Sequence, residues 1–90
     1  MIRATITVHG RVQGVSYRAN ARRKAQELGL RGYTRNNPDG SVEIVAEGDS
    51  ELIERLTDWC RHGPTTARVS SLDVERSEPT YEFRDFEIRR

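Results

Sequence analysis

From Arg3 to His9 the chain alternates strictly, with Ala4, Ile6 and Val8 on one side and Arg3, Thr5, Thr7 and His9 on the other. A period of two predicts a half-buried strand. Gly10 to Ser16 breaks the alternation and contains two glycines, which predicts a loop. Tyr17 to Leu28 then runs free of Gly and Pro, and Tyr17, Ala21, Ala25 and Leu28 share one helical stripe that ends at Gly29. Leu30–Asn36 and Ser41–Glu47 flank Asn37-Pro38-Asp39-Gly40. Proline presets φ and Asp-Gly tolerates positive φ, so the pair is predicted to be a hairpin. Its second arm turns Val42, Ile44 and Ala46 inward.

Asp49 or Ser50 is placed to cap a second helix, with Leu52, Leu56, Trp59 and Cys60 as its apolar stripe and Gly63-Pro64 as its stop. Arg68 to Glu75 predicts a fourth strand, in which Val69 and Leu72 differ in phase, as a bulge or bend requires. Tyr81 to Ile88 predicts a last extended segment, with a similar phase change between Phe83 and Phe86. The order β-α-β-β-α-β, with one more strand, predicts two crossover units sharing a central hairpin. This is the α+β ferredoxin-like split β-α-β sandwich: a mostly antiparallel sheet, two helices on one face and solvent on the other. Such an architecture hosts enzymes, RNA binders and metal carriers, so it decides no function.

Ninety residues suffice for one core, and residues 1–90 are read as a single domain. With 34% hydrophobic and 32% charged residues, the composition is that of a soluble globular chain. No apolar run approaches the ~20 residues of a membrane span. Met1 to Thr5 lacks the basic and apolar regions of a signal peptide, and the lone Cys60 can form no internal disulfide. These features predict a cytoplasmic protein, with a monomer as the default state. The net charge of +1 conceals an asymmetry: residues 1–35 carry +7 and residues 36–90 carry −6. Positive potential in the first third would attract an anion, unless folding simply mixes these charges over the surface, which charge alone favours.

The candidate chemistry lies in that basic third. Gly10-Arg11-Val12-Gln13-Gly14-Val15-Ser16-Tyr17-Arg18 leaves a strand, loops, and enters a helix. Glycines allow successive N–H groups to converge, and a helix N-terminus adds free donors. An arginine at the helix start adds a permanently charged fork matched to two phosphate oxygens. The segment therefore predicts a phosphate cradle, although it is no Walker motif, since Gly-Lys-Ser/Thr does not follow. The second element is Gly32-Tyr33-Thr34-Arg35-Asn36. An amide at a strand terminus can hold water through its carbonyl and an anion through its NH₂, or can simply satisfy a turn. Asn37, just before Pro38, fits the turn role better.

These two blocks, with Pro38-Asp-Gly-Ser-Val-Glu43, Gly63-Pro-Thr-Thr-Ala-Arg-Val69 and Phe86-Glu-Ile-Arg89, closely resemble the acylphosphatase family over nearly the whole chain. The resemblance implies an enzyme that hydrolyses the carboxyl–phosphate bond of acyl phosphates to a carboxylate and inorganic phosphate, without metal or cofactor. It implies that Arg18 binds the phosphate and that Asn36 positions the attacking water. Backbone amides of Arg11, Val12, Gln13, Gly14, Val15 and Ser16 would form the phosphate-binding loop. Inorganic phosphate would be both product and inhibitor, and neither nucleic acid nor membrane would be a partner. Ser16-Tyr17 stands where many members have two aromatics, and Tyr33 where many have Trp. Neither departure touches the two key side chains.

Other residues read as structural. His9 is a strand-end residue on the polar face. Ser16 lacks the second glycine of a nucleophile elbow. Cys60 has no adjacent base and reads as a packed thiol, with Trp59 as core. Cys60 and His62 are too few for structural zinc. The rival class is a ferredoxin-like module that binds nucleic acid or phosphate without catalysis. Ser41–Glu47 carries two acids and no aromatic, and Arg31-Gly32-Tyr33 opens an RNA-binding motif that Thr34-Arg35-Asn36 abandons. A metal carrier would need Cys-x-x-Cys. A stand-alone form of the acylphosphatase-like domain of hydrogenase maturation factors, acting on carbamoyl phosphate, would use the same residues.

Overall fold

A computed structural model describes the whole chain, Met1–Arg90. Its elements are β1 (Ile2–Arg11), α1 (Tyr17–Glu27), β2 (Arg31–Asn36), β3 (Val42–Gly48), α2 (Ser50–Cys60), β4 (Arg68–Ser77) and β5 (Phe86–Arg89). The five strands form one sheet in the order β4-β1-β3-β2-β5. All neighbours are antiparallel except β2 and β5. This is the predicted α+β sandwich, with both helices on one face. Its core is made by the inward positions of the alternating strands, Ala4, Ile6, Val8, Val42, Ile44 and Ala46, all fully buried beneath Ala21, Ala25, Ile53 and Leu56.

The phase change expected in the fourth strand is a bulge. His9 pairs with Ser71 and Gly10 with Val69, so Ser70 is the extra residue. Gly10 adopts φ +125°, and a Cβ there would run into the Arg68 carbonyl oxygen. Only glycine can occupy that corner, where β1 turns off toward the loop.

Three expectations need correction. The buried stripe of α2 is Ile53, Leu56, Thr57 and Cys60, not one that includes Leu52 and Trp59. Apolar residues flank both edges of that stripe, so period alone does not fix its centre. Trp59 is partly buried, its ring 5.5 Å from that of Tyr17. The last extended segment begins as a strand only at Phe86, because Tyr81 turns to φ +59°. Finally, the helix-free face is not all solvent: the connection from β4 to β5 crosses one end of it. There the buried Glu47 carboxylate accepts from the Thr80 N–H at 2.8 Å and the Tyr81 N–H at 3.0 Å, and takes the Arg3 guanidinium at 2.8 Å. Phe83 packs behind, 5.8 Å from the Tyr33 ring.

Candidate active site

In this topology β1 and β2 run the same way on either side of β3, and β5 runs parallel to β2. The C-terminal ends of β1, β2 and β5 therefore meet at one end of the sheet, where α1 begins. A concavity of about 170 Å³ opens there, lined by Val12, Gly14, Ser16, Tyr17, Arg18, Ala19, Asn36 and Ile88. The two side chains singled out from sequence, Arg18 and Asn36, thus share one cavity although 18 positions apart.

The loop between β1 and α1 is bent by Gly14 at φ +74° and Ser16 at φ +62°. Ser16 occupies the N-cap without a side-chain capping bond. Its carbonyl instead accepts the Asn20 N–H at 3.2 Å and the Asn20 Nδ2 amide at 2.8 Å. The Val15 carbonyl accepts the Thr66 hydroxyl at 2.8 Å. The Val15 and Ser16 carbonyls are thereby committed to the protein, whereas the N–H groups of Gln13, Gly14, Val15 and Ser16 donate to no acceptor in the chain. The first-turn amides of α1 also lack helical partners by construction. The result is a local excess of donors, suited to an anion. The side chains of Arg11 and Val12 differ from the rest of the loop: Arg11 is exposed at the end of β1, and Val12 is buried in the core.

Arg18 lies in the first turn of α1, and its Nη1 donates to the Arg89 carbonyl at 3.1 Å. Arg89 is itself fixed, its guanidinium stacked 4.1 Å from the centre of the Tyr33 ring. Neither Arg89 nor Ile88 was singled out as part of the site from sequence. No motif marks a residue that contributes a main-chain carbonyl and a wall.

Asn36 ends β2, and its Oδ1 is buried without a hydrogen-bond partner. An orphaned buried acceptor costs on the order of 1–3 kcal/mol, and the residue that carries it lines the cavity. The other such atom, Thr34 Oγ1, belongs to a fully buried residue two positions back and lines no part of the cavity. Asn37 behaves differently: its Nδ2 donates to Ser41 Oγ at 2.9 Å, and its backbone N–H to the Ser41 carbonyl at 2.8 Å. Its amide is spent on the turn, and Asn36's carbonyl is not.

The remaining candidates lie apart. His9 sits 3.1 Å from the Asp73 carboxylate on the sheet's open face. The Cys60 thiol is fully buried, and burial pushes its pKa up to about 12. Burial also raises the Tyr17 phenol, which donates to the Cys60 carbonyl at 2.7 Å. No three His, Cys, Asp or Glu side chains converge as a ligand set.

A family model described as acylphosphatase matches residues 4–88. An acylphosphatase of Methylococcus capsulatus is 57% identical over 90 residues, covering 100% of this chain and 98% of that protein. The crystal structure of acylphosphatase from Bacillus subtilis superposes with a TM-score of 0.96 at 31% identity, and each chain is covered completely. The crystal structure of HypF from T. kodakarensis contains a similar unit, with a TM-score of 0.85 at 34% identity, covering 100% of this chain and 12% of that one.

Proposed function

The chain belongs to the acylphosphatase family, and from that premise we propose that the cavity between β1, α1 and the end of β2 is where its acyl phosphate substrate is hydrolysed. The family assignment makes the protein a hydrolase of acyl phosphates, and the non-catalytic module is not the favoured reading. The aromatic pair of the open face, Tyr33 and Phe83, is capped by the Arg89 and Arg3 guanidinium groups and is not free to stack on bases. The observation that carries the site proposal is the convergence of three things in one cavity. They are the donor-rich loop, Arg18, and Asn36, whose buried Oδ1 has no partner within the protein.

In this reading the loop amides from Arg11 to Ser16 and the Arg18 fork bind the phosphoryl oxygens. The Asn36 carbonyl accepts a hydrogen bond from water and holds its oxygen in line with phosphorus. A bond forms between that oxygen and phosphorus as the acyl oxygen–phosphorus bond breaks. The electron pair leaves with the carboxylate, and the water proton passes to a phosphoryl oxygen. The conjugate acid of the leaving group has a pKa of about 4, so it departs without a general acid. Phosphoryl transfer needs positioning and charge neutralisation more than covalent help, and these groups supply both. A resident metal has no step to perform. Inorganic phosphate should compete for the same donors. The protein would act as a cytoplasmic monomer; no helix in it is long and apolar enough to cross a membrane.

Hydrolysis of benzoyl phosphate in the presence of EDTA tests the proposal. Turnover should persist undiminished, with inorganic phosphate a competitive inhibitor. Activity lost in EDTA and restored by Mg²⁺, or noncompetitive inhibition by phosphate, would contradict it.

A further inference from the structure

Two of the pieces that form the cavity, the β1–α1 loop and the end of β2, are not closely connected in sequence. One side chain joins them. The Gln13 carboxamide Nε2 donates to the Asn37 carbonyl at 2.8 Å and to the Ser41 carbonyl at 2.9 Å. Both acceptors are already engaged by the turn itself, which closes through the Asn37 N–H to the Ser41 carbonyl at 2.8 Å and the Gly40 N–H to the Asn37 carbonyl at 3.1 Å. Asp39 completes the turn, accepting from the Ser41 N–H at 2.9 Å and the Ser41 hydroxyl at 2.6 Å. The turn therefore needs no help from Gln13 to keep its shape. What Gln13 adds is a fixed distance between that turn and the loop.

We infer that Gln13 is a positioning residue: its side chain docks the loop onto the 37–41 turn and so sets where the Asn36 carbonyl stands relative to the bound phosphoryl group. The inference rests on the role proposed for Asn36. An amide suits the task because its two N–H bonds meet two carbonyls at once, a match that neither a carboxylate nor a thioether can make. The loop has other anchors, the Thr66–Val15 and Asn20–Ser16 bonds, so the phosphate-binding donors remain in place without Gln13. The expected loss is therefore in turnover rather than in phosphate affinity, because a small misplacement of a reacting group weighs heavily on rate.

The test is a double-mutant cycle on benzoyl phosphate hydrolysis. Gln13→Met, nearly the same size but without donors, should lower kcat about tenfold or more and change the competitive inhibition constant of inorganic phosphate by less than about threefold. In the Asn36→Ala background Gln13→Met should cost nothing further, since the group it positions is gone. Gln13→Glu gives a second reading that does not depend on the Met variant folding. It should be slow at pH 7 and recover relative to the parent protein as pH falls toward about 4, where the protonated acid regains one O–H donor. Effects that multiply in the double variant, an unchanged kcat in Gln13→Met, or a Gln13→Glu ratio flat with pH would each overturn the inference. If Asn36→Ala alone turns over at the parent rate, the role of Asn36 falls, and this inference with it. Failure of the Gln13 arms with Asn36→Ala slow removes the inference only.

Discussion

Asn36 and Asn37 are adjacent residues of the same type with opposite assignments, and the difference lies in where each amide spends its hydrogen bonds. Asn37 is consumed by the turn, while Asn36, which lines the cavity, keeps a buried acceptor without a partner. The sequence already inclined toward this division, because Asn37 precedes Pro38. It could not reveal that the Asn36 acceptor goes unpaired, which depends on everything packed around it. Cys60 poses the same question for nucleophilic chemistry. Its thiol is fully buried and pushed up to about 12 by that burial, so it holds no thiolate near neutrality. Cys60→Ser should retain at least half of the parent kcat and lose roughly 1–3 kcal/mol of stability, because a hydroxyl replaces a packed thiol on a buried stripe. Urea denaturation alongside a steady-state assay separates the two effects. A large fall in kcat at full stability would restore Cys60 as a participant.

Among the elements, the most consequential departure from the pattern reading is the path into β5. Alternation in Tyr81–Ile88 shows a phase change, but not that the chain first wraps a buried carboxylate. Burial alone would raise the Glu47 pKa. Donation from the Thr80 amide, the Arg3 guanidinium and the Tyr81 amide outweighs that and holds it below the ordinary carboxylate range. A depressed folded-state pKa means the contribution is fully present above the unfolded value, near 4.5, and is lost as pH falls below that toward the folded value. Glu47→Gln should therefore melt well below the parent protein at pH 7, and the gap should shrink below about pH 4.5. A gap that stays constant with pH would mean that the charge of Glu47 is immaterial. Because this clamp leads directly into β5, whose Arg89 carbonyl receives Arg18, some loss of activity should accompany it. The bulge in β4 was legible for the opposite reason: Val69 and Leu72 cannot both face inward unless one residue is skipped, and Ser70 is that residue.

For the molecule as a whole, the topology explains why the proposed site, with so little catalytic equipment, falls where it does. Two parallel strands and β5 bring their C-terminal ends together beside the start of α1, so a donor-rich loop, an arginine and an amide meet without any long-range motif. The element order was readable from periodicity and turns. The loop and its arginine stood out because glycines and basic residues cluster there. Ile88, the Arg89 carbonyl and the bracing of Gln13 were invisible, because each acts through a wall, a main-chain oxygen or a contact across 24 positions or more. No histidine or free thiol enters the proposed chemistry. The rate should accordingly vary by less than about twofold between pH 5 and pH 8. A steep change near pH 6.5 that vanishes in His9→Gln would promote His9 to catalyst despite its position beside Asp73.

The division of labour between Arg18 and Asn36 is most directly tested by measuring kcat and the inorganic phosphate inhibition constant for Arg18→Gln, Asn36→Ala and Asn37→Ala on benzoyl phosphate. Arg18 is assigned contact with the phosphoryl group before and during reaction, so Arg18→Gln should lose both turnover and phosphate affinity, each by tenfold or more. Asn36 is assigned to the attacking water, so Asn36→Ala should lose roughly 10²-fold in kcat and keep phosphate affinity within about threefold. Asn37→Ala should stay within about threefold of the parent on both. Loss of turnover in Asn37→Ala with full activity in Asn36→Ala would move the site by one residue. Full activity in Arg18→Gln and Asn36→Ala together would show that the hydrolysis takes place somewhere other than this cavity.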